Sequence, residues 1–267
     1  MESSVPAKDY EALAAKMIKR PSEIKKIPRI LVYGRNKKGK STFGASAPNV
    51  LILDPEQGTT WMKGLDPDTW PITRWEDMAD AHAFLRLGKH KYEWVCVDGL
   101  SRLNDMALDF TMQQRALKSM DSQPGMVAQK DWGQAGKVMK SMLVDFYNLP
   151  NIGVIYTAQE RPLENEGSEA DEEAEETPMG FVADLPKGTR AMANSLVDVI
   201  GRIYVVEVEV KGAVRKQRRL WLGEHPLYDT GGRSEFTMPD YIKNPTVPKL
   251  IEVLETGKVT VARKVNQ

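Results

Sequence analysis

From residue 27 onward the apolar positions of the chain alternate between two textures. One is a set of short continuous apolar runs, IPRILVYG, NVLILD, a weaker PITRW, YEWVCVDG and NIGVIYTA, each bounded by turn residues. Unbroken runs rich in β-branched residues belong to strands buried on both faces, as in a parallel sheet covered by helices. The other texture has helical spacing. Asp77 to Leu87 carries Met78, Ala81, Phe84 and Leu85 before Gly88, and Leu103 to Leu117 carries Leu103, Met106, Ala107 and Phe110. Asp131 to Tyr147 carries the longest stripe, Trp132, Ala135, Val138, Met139, Met142, Leu143 and Phe146, with Asp131 as the expected N-cap. This alternation predicts an α/β fold with a mostly parallel sheet and right-handed crossovers. Farther on, LPKGTRAMANSLVDVIG leads into RIYVVEVEV, a KGA turn and VRKQRRLWLG, which predicts a C-terminal antiparallel hairpin added to the sheet.

Residues 1–26 are polar and lysine-rich, with one helical patch (Tyr10, Leu13, Ala14, Met17, Ile18) that ends before Pro21, and read as an appended arm. The core is expected over 27–235, with 236–267 as a C-terminal extension. At 267 residues, 41% hydrophobic and 28% charged, the chain is excluded from the disordered and fibrous classes. Its 37 basic and 37 acidic residues cancel, but eight acids (Glu164, Glu166, Glu169, Asp171, Glu172, Glu173, Glu175, Glu176) fall within 164–176. With only twenty-nine acids left elsewhere, the remainder carries +8, a mildly basic body that permits contact with phosphates. The stretch 164–176 has no apolar residue larger than alanine and is expected to be a solvated, mobile loop. One cysteine, Cys96, and three scattered histidines give neither a disulfide nor a metal-ligand spacing, which suits a reducing compartment. Cys96 lies between apolar neighbours and is expected in the core. No apolar run approaches the roughly 18 residues of a membrane span and the N-terminus lacks the apolar core of a signal peptide, so the expectation is a cytoplasmic protein away from membranes.

Gly34-Arg35-Asn36-Lys37-Lys38-Gly39-Lys40-Ser41 fits the phosphate-binding loop pattern G-x4-G-K-[ST] without a mismatch, with Thr42 following. It follows an expected strand (Ile30 to Tyr33) and opens an expected helix (Ser41 to Ala47), so its backbone N–H groups can face a phosphate chain. Lys40 would neutralise the β and γ phosphates, and the Ser41 hydroxyl would ligate Mg²⁺. Lys37 and Lys38 either add to this field or are solvated. A site of this kind needs a carboxylate at the end of a neighbouring strand, and Val95-Cys96-Val97-Asp98 supplies one. The strand Leu51-Ile52-Leu53-Asp54 ends before Pro55 and Glu56 at the same edge. Glu56 is placed to orient a water in line with the γ phosphate, with Asp54 as its competitor. Strand Ile152 to Tyr156 ends in Thr157-Ala158-Gln159, where Gln159 is a candidate γ-phosphate sensor.

In their order and spacing, GRNKKGKSTFGASAP, LILDPEQG, VCVDGLSRL, KDWGQAGKVMKSML, VIYTAQE and SLVDVIGRI resemble the short phage RecA-core nucleotide-binding proteins, P-loop ATPases related to single-strand annealing proteins and RecA-type recombinases. The likeness runs from about Ile27 to Arg233. It implies a RecA-like core, ATP with Mg²⁺ at a subunit interface, hydrolysis stimulated by DNA, single-stranded DNA held by loops, and annealing or strand exchange by a ring or filament. If the chain is phage-encoded, the host cytoplasm is the implied location. Self-association follows, and a single-strand DNA-binding protein is a candidate partner. By position Lys40 and Ser41 match the phosphate and metal residues, Glu56 the water-activating glutamate, Asp98 the metal-shell aspartate and Gln159 the sensor. Arg233 in YDTGGRS is the nearest match to an arginine that reaches the neighbour's nucleotide, with Arg202 as a second candidate. Two departures stand out: Gly99 replaces the serine usual after the metal aspartate, and the loop after Gln159 is acidic where DNA binding would favour bases. The alternative basic surface is the hairpin, with Lys211, Arg215, Lys216, Arg218 and Arg219, and Trp221 as a candidate stacking ring. A charged hairpin edge also guards a sheet against aggregation. Two other functions use the same loop: a small-molecule kinase, and an assembly or helicase-loading module gated by ATP without essential hydrolysis.

Overall fold

The continuous apolar runs become the centre of one sheet because the strand residues in them, from Ile30 on in the first, are buried on both sides. In the computed structural model, which describes residues 9–24, 27–62, 64–118, 126–163, 180–210 and 212–259, these runs form β1 (Arg29–Tyr33), β2 (Val50–Asp54), β4 (Trp94–Asp98) and β5 (Gly153–Ala158). The acidic stretch 164–176 and Lys211 lie outside the described residues. Between the strands stand α2 (Lys40–Gly44), β3 (Asp68–Pro71), α3 (Glu76–Leu87), α4 (Leu100–Lys118) and α5 (Gln129–Tyr147). After β5 come β6 (Glu160–Leu163), β7 (Gly180–Ala183), α6 (Lys187–Leu196), β8 (Val199–Val210), β9 (Ala213–Trp221), β10 (Gly231–Gly232), β11 (Tyr241–Lys243) and α7 (Val247–Thr256). The N-terminal patch forms α1 (Tyr10–Met17), which buries none of its residues.

The main sheet runs β11-β9-β8-β1-β5-β4-β2-β3, with β10 paired to β8. The pairings β8-β1-β5-β4-β2-β3 are parallel and those of β9, β10 and β11 antiparallel, which matches the expected α/β class with its added hairpin. Helices α3, α4, α5 and α6 cover one face through Met78, Leu103, Met139 and Ala193, while α2 and α7 cover the other through Phe43, Val247 and Leu250. The segment after residue 235 thus supplies a strand and a helix to the same sheet and core. Among the described residues no helix is long and apolar enough to cross a membrane.

Several elements differ from the sequence expectation. The weak strand expected at PITRW lies earlier, at Asp68–Pro71, because the Thr73 and Arg74 amides donate to the Asp77 carboxylate and leave the ladder. Helix α2 spans Lys40–Gly44, not Ser41 to Ala47. Helix α5 starts at Gln129, so Asp131 stands inside it and accepts the Ala128 amide at 2.7 Å. Trp132 does not join the buried stripe of α5 and is 53% exposed. The β6-β7 ribbon has no counterpart in the apolar pattern.

Candidate functional site

The phosphate loop turns between β1 and α2 at the end of the sheet where β1, β2, β4 and β5 terminate. Lys37 (φ 59°) and Gly39 (φ 101°) both take left-handed backbone to make this turn. Lys40, only 8% exposed, donates from Nζ to the Gly34 carbonyl at 2.9 Å, the Arg35 carbonyl at 3.0 Å and Gln159 Oε1 at 3.2 Å. All three acceptors are neutral. Burial lowers the Lys40 pKa, and the carboxylates of Asp98, Glu56 and Glu160 oppose that shift. A buried ammonium satisfied only by neutral oxygens fits a phosphate as its missing counter-charge.

The register Asp98↔Thr157 brings the end of β4 against the end of β5. Asp98 is buried, accepts the Thr157 hydroxyl at 2.7 Å and is hydrogen-bonded by the Ser41 side chain. Burial raises its pKa against the pull of those two hydroxyls, so a cation at Ser41 and Asp98 would remove an unfavourable charge state. Among the described residues no three His, Cys, Asp or Glu side chains gather into a cation cage. Magnesium, which keeps waters and shares phosphate oxygens, suits one carboxylate and one hydroxyl.

Glu56 and Asp54 separate cleanly. Asp54 is fully engaged by the turn that follows β2, accepting from the Gly58 amide at 3.2 Å, the Thr59 amide at 2.9 Å and the Thr59 hydroxyl at 2.7 Å. Glu56 faces solvent, is hydrogen-bonded by the Gln159 side chain, and has its pKa raised by partial burial and by the Asp98 charge. Its Oε1 lies where a Cβ on Gly99 would approach to 3.2 Å, which places Glu56 directly over the Asp98-Gly99 corner. Gln159 therefore touches both Lys40 and Glu56, and its backbone N–H donates to the Ser101 hydroxyl at 3.1 Å.

The structure does not bring Arg233 to this cluster. Arg233 sits at the opposite end of β8, 3.6 Å from Asp198, and 66% of its side chain is exposed. Arg202, paired with Tyr33 at the end of β1, is 12% exposed and holds Glu160 at 2.9 and 3.1 Å. Glu160 also pairs with Arg35 of the phosphate loop at 3.2 Å. The expected basic face of the hairpin is divided. Arg215 and Lys216 are exposed, Arg219 covers the Tyr241 ring at 4.4 Å, and the Arg218 guanidinium lies against Gly39. Trp221 is stacked on Tyr241 at 5.9 Å and is not a free stacking surface. Cys96 is fully buried in the core, and burial raises its thiol pKa. Sequence reasoning missed Thr157, Glu160 and the contact of Arg218 with the loop; the polar residues ending an apolar strand signalled only the first.

Residues 26–234 match the family described as AAA domain. No match was found among curated proteins. Among solved structures, the flagellar accessory protein FlaH from Methanocaldococcus jannaschii is similar at 10% identity and a TM-score of 0.39, covering 82% of this chain and 84% of that one.

Proposed function

Because the chain belongs to the AAA domain family of P-loop ATPases, we propose that it binds ATP with Mg²⁺ in the loop 34–42 and couples hydrolysis to work on single-stranded DNA as a self-assembled oligomer. The observation that carries the nucleotide part is the convergence of Lys40, Asp98, Glu56 and Gln159 on one end of the loop. Lys40 and the loop amides would hold the phosphates, and Ser41 and Asp98 would hold a magnesium ion, which would supply charge neutralisation. Glu56 orients the attacking water and accepts its proton as the bond from the γ phosphorus to ADP breaks. Gln159 links that event to β6, the strand that leads toward the acidic segment. Support for DNA comes from the sequence resemblance and the +8 remainder outside residues 164–176.

The test is hydrolysis by the purified chain with and without single-stranded DNA. Turnover should rise with DNA, and Glu56→Gln should keep ATP binding while losing about a hundredfold or more in turnover, as general-base loss usually does. Turnover indifferent to DNA, with no DNA retained in the presence of ATP, would refute the DNA part alone. One observation favours a second reading: a cavity of about 710 Å³ beside Glu56 and Gln159, with Arg102, Trp132 and Arg161 in its wall, has the volume of an acceptor site for phosphoryl transfer. Phosphorylation of a nucleoside or metabolite acceptor in place of water would favour a kinase.

A further inference from the structure

At the phosphate-loop edge of the sheet stands a buried charge cluster that the hydrolytic step does not itself use. Glu160, the residue after Gln159, has 3% of its side chain exposed and faces two guanidinium groups. Arg202 of β8 donates to it from Nε at 2.9 Å and from Nη2 at 3.1 Å, and Arg35 of the phosphate loop donates from Nε at 3.2 Å. Rings enclose Arg202 in turn, its guanidinium lying 5.2 Å from the Phe181 centroid, 5.6 Å from that of Tyr204 and 4.4 Å from that of Tyr228. Taking two charges out of water is costly, and a well-packed apolar pair of similar volume is often as stable or more so. Stability alone is therefore a poor reason for such a cluster. What two-pronged bonds to a carboxylate do supply is one fixed geometry.

That geometry reaches Lys40 by two routes. Arg35, whose side chain Glu160 holds, offers its carbonyl to Lys40 Nζ at 3.0 Å. Gln159, joined to Glu160 by the chain, accepts from the same Nζ through Oε1 at 3.2 Å, and its side chain is also hydrogen-bonded to Glu56. The Gln159 backbone is tied on both sides. Its N–H donates to Ser101 Oγ at 3.1 Å, its carbonyl accepts the Asp184 amide at 2.8 Å, and Ser101 Oγ donates to the Asp184 carbonyl at 2.9 Å. The Glu160 clamp is thus the remaining tie between this strand end and the phosphate loop.

We propose that Glu160, locked by Arg202, is a positioning residue for ATP hydrolysis, acting through Gln159 and Arg35 to hold Lys40 and Glu56 in register. The proposal rests on the ATP-site reading above and adds what keeps that site in shape. A misplacement of about 1 Å at the reacting groups can cost about a hundredfold in rate. Phosphate binding, spread over the loop amides and Lys40, tolerates such a shift better. The signature of the role is a loss in kcat with MgATP affinity nearly kept.

The test is steady-state turnover, calorimetry with MgATP and thermal melting on the parent and three variants. Arg35→Ala removes a side chain that is 70% exposed, so the fold should hold. Its kcat should fall by about tenfold, with affinity close to the parent's. Glu160→Gln should lose about a hundredfold in kcat and melt at a lower temperature, because Arg202 is left without its counter-charge. Glu160→Met combined with Arg202→Met removes both charges, and should regain the parental melting temperature while kcat stays low. Recovery of kcat together with the melting temperature, Arg35→Ala at the parental kcat, or losses in affinity as large as those in kcat would overturn the inference and leave the ATP site standing. A parent chain that neither binds nor hydrolyses MgATP would overturn both.

Discussion

Gly99 carries a φ of 126°, a backbone region that side chains rarely occupy, and a Cβ there would press on Glu56 Oε1. The serine that the resemblance implies at this position is therefore not neutral in this chain. Gly99→Ser should cost about 1–3 kcal/mol of stability, the range for strained backbone, and should reduce hydrolysis more than ATP binding because it displaces Glu56. Thermal unfolding and steady-state turnover check the two halves separately. Lys40, Ser41 and Asp98 were legible in the sequence because each sits in a contiguous pattern whose chemistry is local. Glu56 was preferred there over Asp54, the last residue of β2, and the Gly58 and Thr59 amides show that Asp54 is already taken. Thr157 and Arg218 were illegible as site residues because their partners, Asp98 and Gly39, are brought to them by sheet pairing and hairpin packing rather than by sequence proximity.

Helix α5 shows why element boundaries escape a reading by periodicity. Its apolar stripe predicted the helix, but its start is set by the Asp131 carboxylate, which folds back onto the Ala128 amide and also pairs with Arg115 of α4 at 3.1 Å. Both charges are shielded, with 2% of Asp131 and 19% of Arg115 exposed. Asp131→Ala strips a largely buried pair of one member and should destabilise the fold by about 3 kcal/mol, measurable by denaturant unfolding. At α3 the Asp77 carboxylate would be raised by burial, but the Thr73 and Arg74 amides and the Arg74 guanidinium win and hold its pKa at about 2. A carboxylate depressed in the folded state stabilises above its unfolded value near 3.8 and loses that contribution as pH falls through about 2. Asp77→Ala should therefore cost about 1 kcal/mol near neutral pH, as capping losses do, and the gap to wild type should close toward pH 2 in unfolding experiments. The same amide bonds explain why the strand expected at residues 71–75 lies upstream. The central strands were legible from their unbroken apolar runs, whereas the β6-β7 ribbon, with Glu160 and Arg161 in its first strand, has no such run to announce it.

Across the whole molecule, the sheet order gives the site its logic. Strand β5 stands between β1, which delivers the phosphate loop, and β4, which delivers Asp98, so Thr157 and Gln159 at its end can address both. Glu160, one residue on, ties Arg35 of the loop to Arg202 of β8, giving a continuous path from nucleotide to the hairpin side of the sheet. Such a path fits the proposed coupling of hydrolysis to work in an assembly. If ATP only gates assembly, Glu56→Gln should assemble and anneal DNA as well as the parent; the coupling proposed here requires that it fail. All of this depends on one binding event. The most direct measurement is calorimetric titration of the chain with MgATP beside Lys40→Ala. A saturable heat in the parent, with affinity falling by a hundredfold or more (about 3 kcal/mol) in the variant, is the predicted result. No heat in the parent, or equal binding by the two, would contradict the account.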